Sequence, residues 1–263
     1  MSPDRKLTIC VAGATGWTGS AVVQGVLDAP DLALGSAVSR SAAGRDLGGV
    51  PVHASVPEAL VGIDVLIDYT APAAVMANVL AAIEAGVAVV VGTSGLTAAD
   101  YAEIDALASE RLVGVIASGN FSVTAAMAQA GALLAARHLP QWEIVDYADA
   151  SKPDVPSGTA RELAERLGAI REPLLGRPVD ELHGPREARG AAVGGAQVHS
   201  LRLPSFTVST EVVFGLPDER LTIRHDAGSS AAPYVAGTLI AARSAPARVG
   251  LTRGLDTLLL ETP

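Results

Sequence analysis

The sequence predicts an α/β fold: a Rossmann-type, doubly wound parallel sheet, followed by a second α+β domain. Three observations predict it. Short aliphatic runs alternate with Ala-rich segments through the first half of the chain. Apolar residues make up 49% of the chain but aromatic residues only 3%, which suits parallel strands covered by helices. A glycine-rich turn, Gly13–Gly19, follows the first aliphatic run.

The first half of the chain contains the predicted parallel sheet. The aliphatic runs predicted to be its strands are Leu7–Ala12, Leu32–Val38, Val65–Tyr69, Val87–Val91 and Leu112–Ala117. The Ala-rich segments predicted to be helices are Ser20–Leu27, Ala73–Glu84 and Ala98–Glu110. Thr97 and Asp100 have the spacing of a capping box that opens the third helix. Strands and helices alternating in this way indicate parallel pairing.

The pattern changes after about Asn120, where we predict a different kind of layer. A helix and a strand are expected at Ser122–Arg137 and Trp142–Tyr147, and a further helix opens at Pro156–Thr159. Thr159 and Glu162 have capping-box spacing at that opening. Residues 171–195 have the composition of an irregular surface segment. The segments expected after it are antiparallel strands at Val198–Leu203, Thr207–Phe214 and Leu221–His225, a helix at Ala231–Ala242 and a strand at Thr257–Leu260.

Composition and charge argue against several classes of protein function. The formal net charge is −9, which argues against a nucleic-acid-binding surface because phosphate binding needs a basic footprint. Cys10, the only cysteine, lies within the first run, so we expect a buried thiol and no internal disulfide. No segment resembles a secretion signal or a membrane span, so we expect a cytoplasmic protein. His53, His138 and His183 lack partners at ligand spacing, and we expect no metal.

The turn after the first strand carries a glycine at every third position. Its residues are Gly13, Ala14, Thr15, Gly16, Trp17, Thr18 and Gly19. The spacing is related to the G-x-G-x-x-G pattern of dinucleotide-binding proteins. Such a turn reverses the chain tightly, lets the backbone approach a pyrophosphate and points the first amides of the next helix at it. We therefore predict that Gly13 to Thr18 bind a dinucleotide.

The choice of cofactor is decided about 20 residues further on, at the end of the second strand. This position holds Ser39, Arg40 and Ser41, and the nearest acidic residue is Asp46. An NAD-specific site places a carboxylate there for the ribose 2′-hydroxyl, whereas a guanidinium flanked by hydroxyls suits a 2′-phosphate. Ser39 and Arg40 are thus predicted to bind NADPH, with NADH bound more weakly.

The other predicted strands also end in small or hydrogen-bonding residues. Ligands of open α/β sheets bind beyond the carboxyl ends of the strands, so we expect these residues to border the ribose and the nicotinamide. They are Tyr69, Thr70, Gly92, Thr93, Ser94, Ser118, Asn120 and Phe121.

Taken in order, segments along nearly the whole chain resemble the dihydrodipicolinate reductase family of the lysine pathway. The matching segments are Gly13–Gly19, Asp68–Thr70, Gly92–Gly95, Asn120–Val123, Lys152–Thr159, Val198–Arg202, Glu211–Gly215 and Leu221–Asp226. The resemblance implies a dinucleotide-binding domain of residues 1–119 plus 228–263, and a substrate-binding and oligomerisation domain of residues 120–227. It also implies a homotetramer joined through the second domain's sheet, and hydride transfer from NAD(P)H to an unsaturated cyclic dicarboxylate.

The resemblance further implies that Lys152, Ser157, Gly158 and Thr159 bind a substrate carboxylate. A helix N-terminus with an ammonium group nearby suits an anion on physical grounds as well. The histidine pair that the family places before this lysine, however, is absent, and Ala148 and Asp149 stand there instead. A general acid contributes about 10²–10⁴-fold to a rate, so its replacement matters.

Four groups are conceivable as the proton donor. We favour Lys152, with Tyr147 second; Asp149 and water are the others. Asp149 would be ionised near neutral pH unless it were buried, and its charge would repel a dicarboxylate. Asp149 thus suggests a substrate with fewer negative charges than the family's own. His199 and His225, on alternating strands, are predicted to be structural.

Three functional hypotheses follow from this combination of matches and departures. The first is the family reaction, reduction of 4-hydroxy-tetrahydrodipicolinate, with an altered acid. The second is a paralogue that reduces a different cyclic imine or enamine in a specialised pathway. The third is a non-catalytic NADPH-binding sensor or assembly protein. The retained Lys152 and Ser157–Thr159 weigh against the third, because a sensor has no obvious use for a carboxylate site.

Overall fold

A computed structural model describes residues 5–261 of the chain. Its strands are β1 Leu7–Ala12, β2 Leu32–Val38, β3 Asp46–Leu47, β4 Val50–His53, β5 Val65–Asp68, β6 Ala88–Val91, β7 Gly114–Ala117, β8 Trp142–Ala148, β9 Ala191–Val193, β10 Ala196–Arg202, β11 Val208–Leu216, β12 Glu219–Asp226 and β13 Gly250–Arg253. Its helices are α1 Trp17–Asp28, α2 Val56–Ala59, α3 Pro72–Glu84, α4 Ala98–Arg111, α5 Val123–Ala136, α6 Gly158–Ile170, α7 Ala232–Ser244 and α8 Leu255–Glu261. Within the described part of the chain, no helix is long and apolar enough to cross a membrane.

The chain divides into two compact units. The first contains the chain up to Val123 and from Ala231 onward, and the second contains Thr124–Ser230. The roles predicted for two such domains, dinucleotide binding and substrate binding, stay predictions at this point.

The first unit is built on an eight-stranded sheet in the order β13-β7-β6-β5-β1-β2-β4-β3. Its strands pair in parallel, apart from the short antiparallel pair β3–β4. Every residue of β5, β6 and β7 is buried, as expected for aliphatic strands covered on both faces. The predicted Rossmann-type α/β fold is therefore confirmed.

Helix α4 shows how local sequence sets an element's ends. The Thr97 hydroxyl accepts a bond from the Asp100 amide, and the Asp100 carboxylate accepts one from the Thr97 amide, so the predicted capping box is present. At the other end Leu112 adopts a left-handed conformation with φ 56° and ends the helix. The strand predicted at Leu112–Ala117 consequently starts later, at Gly114.

The second unit is a five-stranded sheet in the order β12-β11-β8-β10-β9. Its inner face packs on helices α5 and α6 through a core that includes Ile144, Leu163, Leu167 and Phe214. Side chains alternate along β8, so its odd-numbered residues occupy the opposite, outer face.

The sheet of the second unit corrects the prediction of an antiparallel set. Strand β10, predicted as Val198–Leu203, pairs in parallel with β8, while β11 pairs antiparallel with both β8 and β12. The reason lies in the connection: α6 intervenes between β8 and β10, and a helical crossover joins parallel neighbours. The sheet is thus mixed.

Two further expectations are wrong. The segment Thr257–Leu260, predicted as a strand, lies in helix α8, where Leu255 and Leu258 are buried at helical spacing. The strand of this region is β13, just before it. The residue that caps helix α6 is not Thr159 but Ser157, whose hydroxyl accepts a hydrogen bond from the Ala160 amide.

Candidate functional site

The glycine turn between β1 and α1 requires glycine at two positions. Gly13 has φ +80°, and a Cβ there would lie 2.1 Å from the Tyr69 carbonyl oxygen. A Cβ on Gly19 would lie 2.0 Å from the Gly13 carbonyl oxygen. Helix α1 starts at Trp17 without a side-chain cap, which leaves its first-turn amides available to an anion. The turn therefore has the tight reversal and the close helix packing that are typical of dinucleotide-binding turns.

A cavity of about 420 Å³ lies at the carboxyl ends of β1, β2 and β5 in the first unit. It brings together several residues that the sequence predicted to bind the cofactor, and adds others from β4–α2 and α3. Its described lining is Gly13, Gly16, Val38, Ser39, Arg40, Ser41, Ala54, Ser55, Val56, Tyr69, Thr70, Ala71, Ala74 and Asn78. The contribution of residues 54–56 was missed because the short elements β4 and α2 carry no clear periodic signal.

A chain of hydroxyl groups connects the glycine turn to the segment after β2. Thr15 Oγ1 lies 2.7 Å from Ser39 Oγ, which lies 3.2 Å from Ser41 Oγ. Arg40 is exposed between the two serines and lines the cavity. Among the described lining residues none is acidic. This arrangement offers a guanidinium and hydroxyls to a phosphate but no carboxylate to a ribose hydroxyl.

Asp68, at the end of β5, organises two of the predicted strand-end segments. Its fully buried carboxylate accepts bonds from the Thr70 amide at 3.0 Å, the Thr70 hydroxyl at 2.8 Å and the Thr93 hydroxyl at 2.6 Å. Asn78 donates to the other oxygen at 2.8 Å. The carboxylate thus fixes Thr70 and Thr93. The sequence showed Asp68 at a strand end, but its partners were unpredictable from spacing.

Tyr69 and Phe121 form a hydrophobic support beside the cavity. Their rings meet edge to face with centroids 6.3 Å apart, and Phe121 is 1% exposed. The Tyr69 hydroxyl lies 2.7 Å from Thr238 Oγ1, and burial raises the pKa of Tyr69. A Cβ on Gly92 would lie 2.2 Å from the Tyr69 ring, so Gly92 permits this packing.

The remaining predicted cofactor residues lie near the same strand ends or at the start of α1. Trp17 is 53% exposed, and its ring meets Tyr234 edge to face at 5.9 Å. Ser118 Oγ donates to the Asn120 carbonyl at 2.9 Å, so these residues form a tight buried turn. Ala14, Thr18 and Ser94, the other predicted residues, are not among the described residues that line the cavity.

In the second unit, Ser157 and the start of α6 form the candidate anion site. Gly158 and Thr159 are the first two helical residues, directly after the Ser157 cap. The Ser157 amide donates at 2.8 Å to Asp146 Oδ2 on β8. This bond ties the N-terminus of α6 to the sheet. The helix therefore presents its positive end at a fixed place.

Lys152 lies in the loop that leads to α6. Its ammonium is 2.8 Å from Asp154 Oδ1, with both side chains about a third exposed. Asp149 accepts bonds from the Ser151 hydroxyl and the Ser151 amide at 2.6 and 2.9 Å, and these lower the pKa of Asp149. Asp149 is therefore a carboxylate at neutral pH and cannot donate a proton there.

Tyr147 occupies the outer face of the second unit's sheet, whereas α6 packs on the inner face. Its hydroxyl donates weakly, at 3.5 Å, to Glu211, and the Arg224 guanidinium lies 4.8 Å from its ring centroid. Burial and the nearby Glu211 charge raise the pKa of Tyr147. The structure therefore separates Tyr147 from the Ser157 amide, and its predicted role as second-choice donor lacks geometric support.

The two strand histidines have hydrogen-bonding partners. His199 Nε2 lies 2.7 Å from Glu143 Oε2, and His225 Nε2 lies 3.1 Å from Thr124 Oγ1. Both contacts agree with the structural role predicted for these residues. Ala148, in place of a family histidine, is fully buried.

Comparisons with known proteins cover nearly the whole chain. The family model described as "Dihydrodipicolinate reductase, N-terminus" matches residues 7–121, and "Dihydrodipicolinate reductase, C-terminus" matches residues 120–259. The 4-hydroxy-tetrahydrodipicolinate reductase of Desulfitobacterium hafniense (strain DSM 10664 / DCB-2) is 35% identical, over 97% of this chain and 99% of its own. The protein of the same name from Moorella thermoacetica is 36% identical, over 96% and 98%.

A solved structure agrees with this match. Dipicolinate-bound dihydrodipicolinate reductase from Paenisporosarcina sp. TG-14 is 26% identical to this chain and superimposes with a TM-score of 0.76. The alignment covers 96% of this chain and 99% of that one.

Proposed function

The chain belongs to the dihydrodipicolinate reductase family of pyridine-nucleotide-dependent oxidoreductases, and from that premise we propose an NADPH-dependent reductase that acts on an unsaturated cyclic imine or enamine carboxylate. The observation that carries the proposal is the glycine-turn cavity. A Cβ at Gly13 or Gly19 would collide with the protein's own backbone, so this turn needs glycine for its tight reversal and for the close packing of α1, as dinucleotide-binding turns do. The residues present therefore fit a dinucleotide.

The proposed preference for NADPH is supported by Arg40 and its hydroxyl neighbours. Arg40 is the charged side chain among the described residues of the cavity lining, and Ser39 is held by Thr15. A 2′-phosphate would gain charge-assisted bonds from this group, whereas a 2′-hydroxyl would find no acidic acceptor in that lining. The glycine turn and the strand-end residues would bind the rest of the dinucleotide, which supplies the hydride when bound.

The proposed substrate site is the N-terminus of α6 with Lys152. Ser157, Gly158 and Thr159 would bind a substrate carboxylate through the helix's first turn, and the Lys152 ammonium would add a positive charge. The relative from Paenisporosarcina sp. TG-14 was solved with dipicolinate, a small cyclic anion, which supports a ligand of that class here.

For a substrate that needs a proton from the enzyme, we propose Lys152 as the donor. Its ammonium lies in the substrate loop, which is formed by residues 149–157 between β8 and α6, and is held by Asp154. Tyr147 lies on the other face of the sheet. Lys152 would thus combine charge stabilisation of a carboxylate with proton delivery.

Two substrates remain as candidates within this proposal. The names of the relatives support 4-hydroxy-tetrahydrodipicolinate, the substrate of a step in lysine biosynthesis. Ala148 and the ionised Asp149 favour a paralogue, because a second carboxylate on the substrate would be repelled by Asp149. A cyclic imine with a single carboxylate would avoid that repulsion.

We also propose that the two units serve as nucleotide-binding and substrate-binding domains, and that the second unit's outer sheet face joins four copies into a homotetramer. The outer face carries apolar side chains, such as those of Val145 and Val213, that are half-buried in the single chain. Contact with another copy would bury them further, which supports this face as the interface.

The test is turnover by the purified full chain, followed as loss of NADPH absorbance. The substrates are freshly generated 4-hydroxy-tetrahydrodipicolinate and a series of five- and six-membered cyclic imines with one carboxylate. Rapid oxidation with the first substrate supports the family reaction, and rapid oxidation with an imine alone supports the paralogue. NADPH binding without turnover of any of them would favour the non-catalytic alternative.

A further inference from the structure

Asp146 and Arg202 form a buried ion pair on the inner face of the second unit's sheet. Arg202 Nη2 donates to Asp146 Oδ2 at 2.8 Å; the Asp146 side chain is fully buried and that of Arg202 is 15% exposed. A buried carboxylate destabilises a fold unless it is paired and hydrogen-bonded. Neither side chain has a part in the proposed binding of substrate or cofactor.

This pair holds the substrate loop at two points. The same Arg202 Nη2 donates to the Asp154 carbonyl oxygen at 2.6 Å. Asp146 Oδ2 accepts the Ser157 amide at 2.8 Å and the Ser200 hydroxyl at 3.1 Å. Asp154 is the ion-pair partner of Lys152, and Ser157 caps α6. The two side chains therefore fix the backbone on both sides of Pro156.

One polar atom of each side chain takes no part in these bonds. Asp146 Oδ1 and Arg202 Nε are buried and have no hydrogen-bond partner among the described residues. A buried polar atom without a partner costs stability, and such exceptions concentrate at functional sites.

We propose that Asp146 and Arg202 are positioning residues that set the affinity of the substrate site. They hold the first turn of α6 and the carboxylate partner of Lys152 in one arrangement, so that the helix amides and the ammonium meet the same substrate carboxylate. The inference rests on the proposed function, because it assigns the pair to the substrate site proposed there. Arg202 makes both bonds from Nη2, and the shorter side chain of a lysine does not bring its ammonium to the same point, so a lysine gives up one of the two bonds.

The test compares wild type with Arg202→Lys, using dipicolinate as the binding probe and the best imine substrate for turnover. Arg202→Lys keeps a cation beside Asp146, so we expect the melting temperature to change little. Loss of the Asp154 bond should weaken dipicolinate binding and raise the substrate KM by roughly 10-fold, with kcat changed by less than about 3-fold and the KM for NADPH unchanged. Arg202→Met, provided that it folds, should raise the Kd for dipicolinate and the substrate KM further than Arg202→Lys does.

Arg189→Lys is the matched control. Arg189 forms an ion pair with Glu143, which lies on β8 like Asp146 but on the outer face. Replacement of Arg189 should therefore leave dipicolinate binding unchanged. Arg202→Lys with unchanged Kd and KM would overturn the inference and leave the proposed function standing. A lowered melting temperature and active fraction with an unchanged Kd would likewise overturn it, because a merely structural role gives that result. Failure of wild type to bind dipicolinate would overturn the proposed substrate site and this inference together.

Discussion

Arg40 is the residue on which the proposed cofactor preference depends. It is the charged side chain among the described residues that line the cavity at the carboxyl ends of β1, β2 and β5. Hydrogen bonds to charged groups contribute about 1.5–3 kcal/mol, which corresponds to roughly 10–100-fold in affinity. We expect Arg40→Gln to lower kcat/KM for NADPH by that factor and to change the value for NADH by less than about 3-fold, as measured by steady-state kinetics with each cofactor.

Arg45 provides the control for this prediction. It is exposed, close in sequence and absent from the described lining of the cavity, so Arg45→Gln should leave the NADPH/NADH ratio unchanged. Equal kcat/KM for the two cofactors in wild type would contradict the proposed preference.

Burial in β1 suppresses the reactivity of the Cys10 thiol. It is fully buried in β1 and free, as predicted, and burial raises its pKa to about 11. At pH 8 about one thiol in a thousand would then be ionised, and the thiolate is the reactive form. We expect the native protein to resist a disulfide exchange reagent at pH 8, and the guanidinium-unfolded chain to react with one equivalent. Fast reaction of the native protein would show that Cys10 becomes exposed.

At the residue scale, the sequence predicted groups that act through local geometry. The glycine turn and Arg40 follow fixed offsets from one strand, so spacing was enough to place them at one cavity, and their binding of a dinucleotide stays a prediction. The roles of Asp68 and of the Asp146–Arg202 pair were missed because each depends on a partner from another segment: Thr93 lies 25 residues from Asp68, and Arg202 lies 56 residues from Asp146. The exclusion of Asp149 as an acid was argued from charge, and its hydrogen bonds to Ser151 support it.

At the scale of elements, strong aliphatic runs predicted strands well and short ambiguous runs did not. Strands β1 and β2 have the predicted bounds, because their Val-, Leu- and Ala-rich runs are bounded by turns. The sequence predicts a strand at residues 257–260, because four residues are too few to show a helical period. The buried pair Leu255 and Leu258, with Asp256 in the first turn, was the helical signal. The parallel pairing of β10 with β8 could not be predicted, because it depends on the path of α6, which no local sequence pattern shows.

Helix α4 allows a quantitative test of an element predicted from sequence. Its capping box satisfies two orphan amides, and replacing a threonine cap by alanine costs about 1 kcal/mol. We expect Thr97→Ala to lower the free energy of unfolding by about that amount in urea titrations. Glu103→Ala, on the exposed surface of the same helix, should stay within about 0.5 kcal/mol of wild type. Equal effects of the two substitutions would mean that the cap contributes nothing.

At the scale of the whole molecule, we propose that the two units separate two chemical tasks. The first unit has a cavity with a cationic edge suited to a phosphate, and the second has a helix N-terminus with an ammonium suited to a carboxylate. Both tasks concern anions, although the chain's net charge is −9. Binding therefore depends on local donors rather than on the overall field, and we attribute specificity to Arg40, Lys152 and the first turns of α1 and α6.

The proposed assembly of several copies is also a property of the whole molecule. The proposed homotetramer uses the outer face of the second unit's sheet, where Val213 on β11 is half-buried. A homotetramer would have about four times the 26.6 kDa mass of the chain in light scattering. Val213→Arg would place a charge in the apolar part of that interface, so we expect the mass to fall, whereas Val61→Arg, at a 92% exposed position of the first unit, should leave it unchanged. A monomeric wild type, or a tetramer that tolerates Val213→Arg, would exclude this face as the interface.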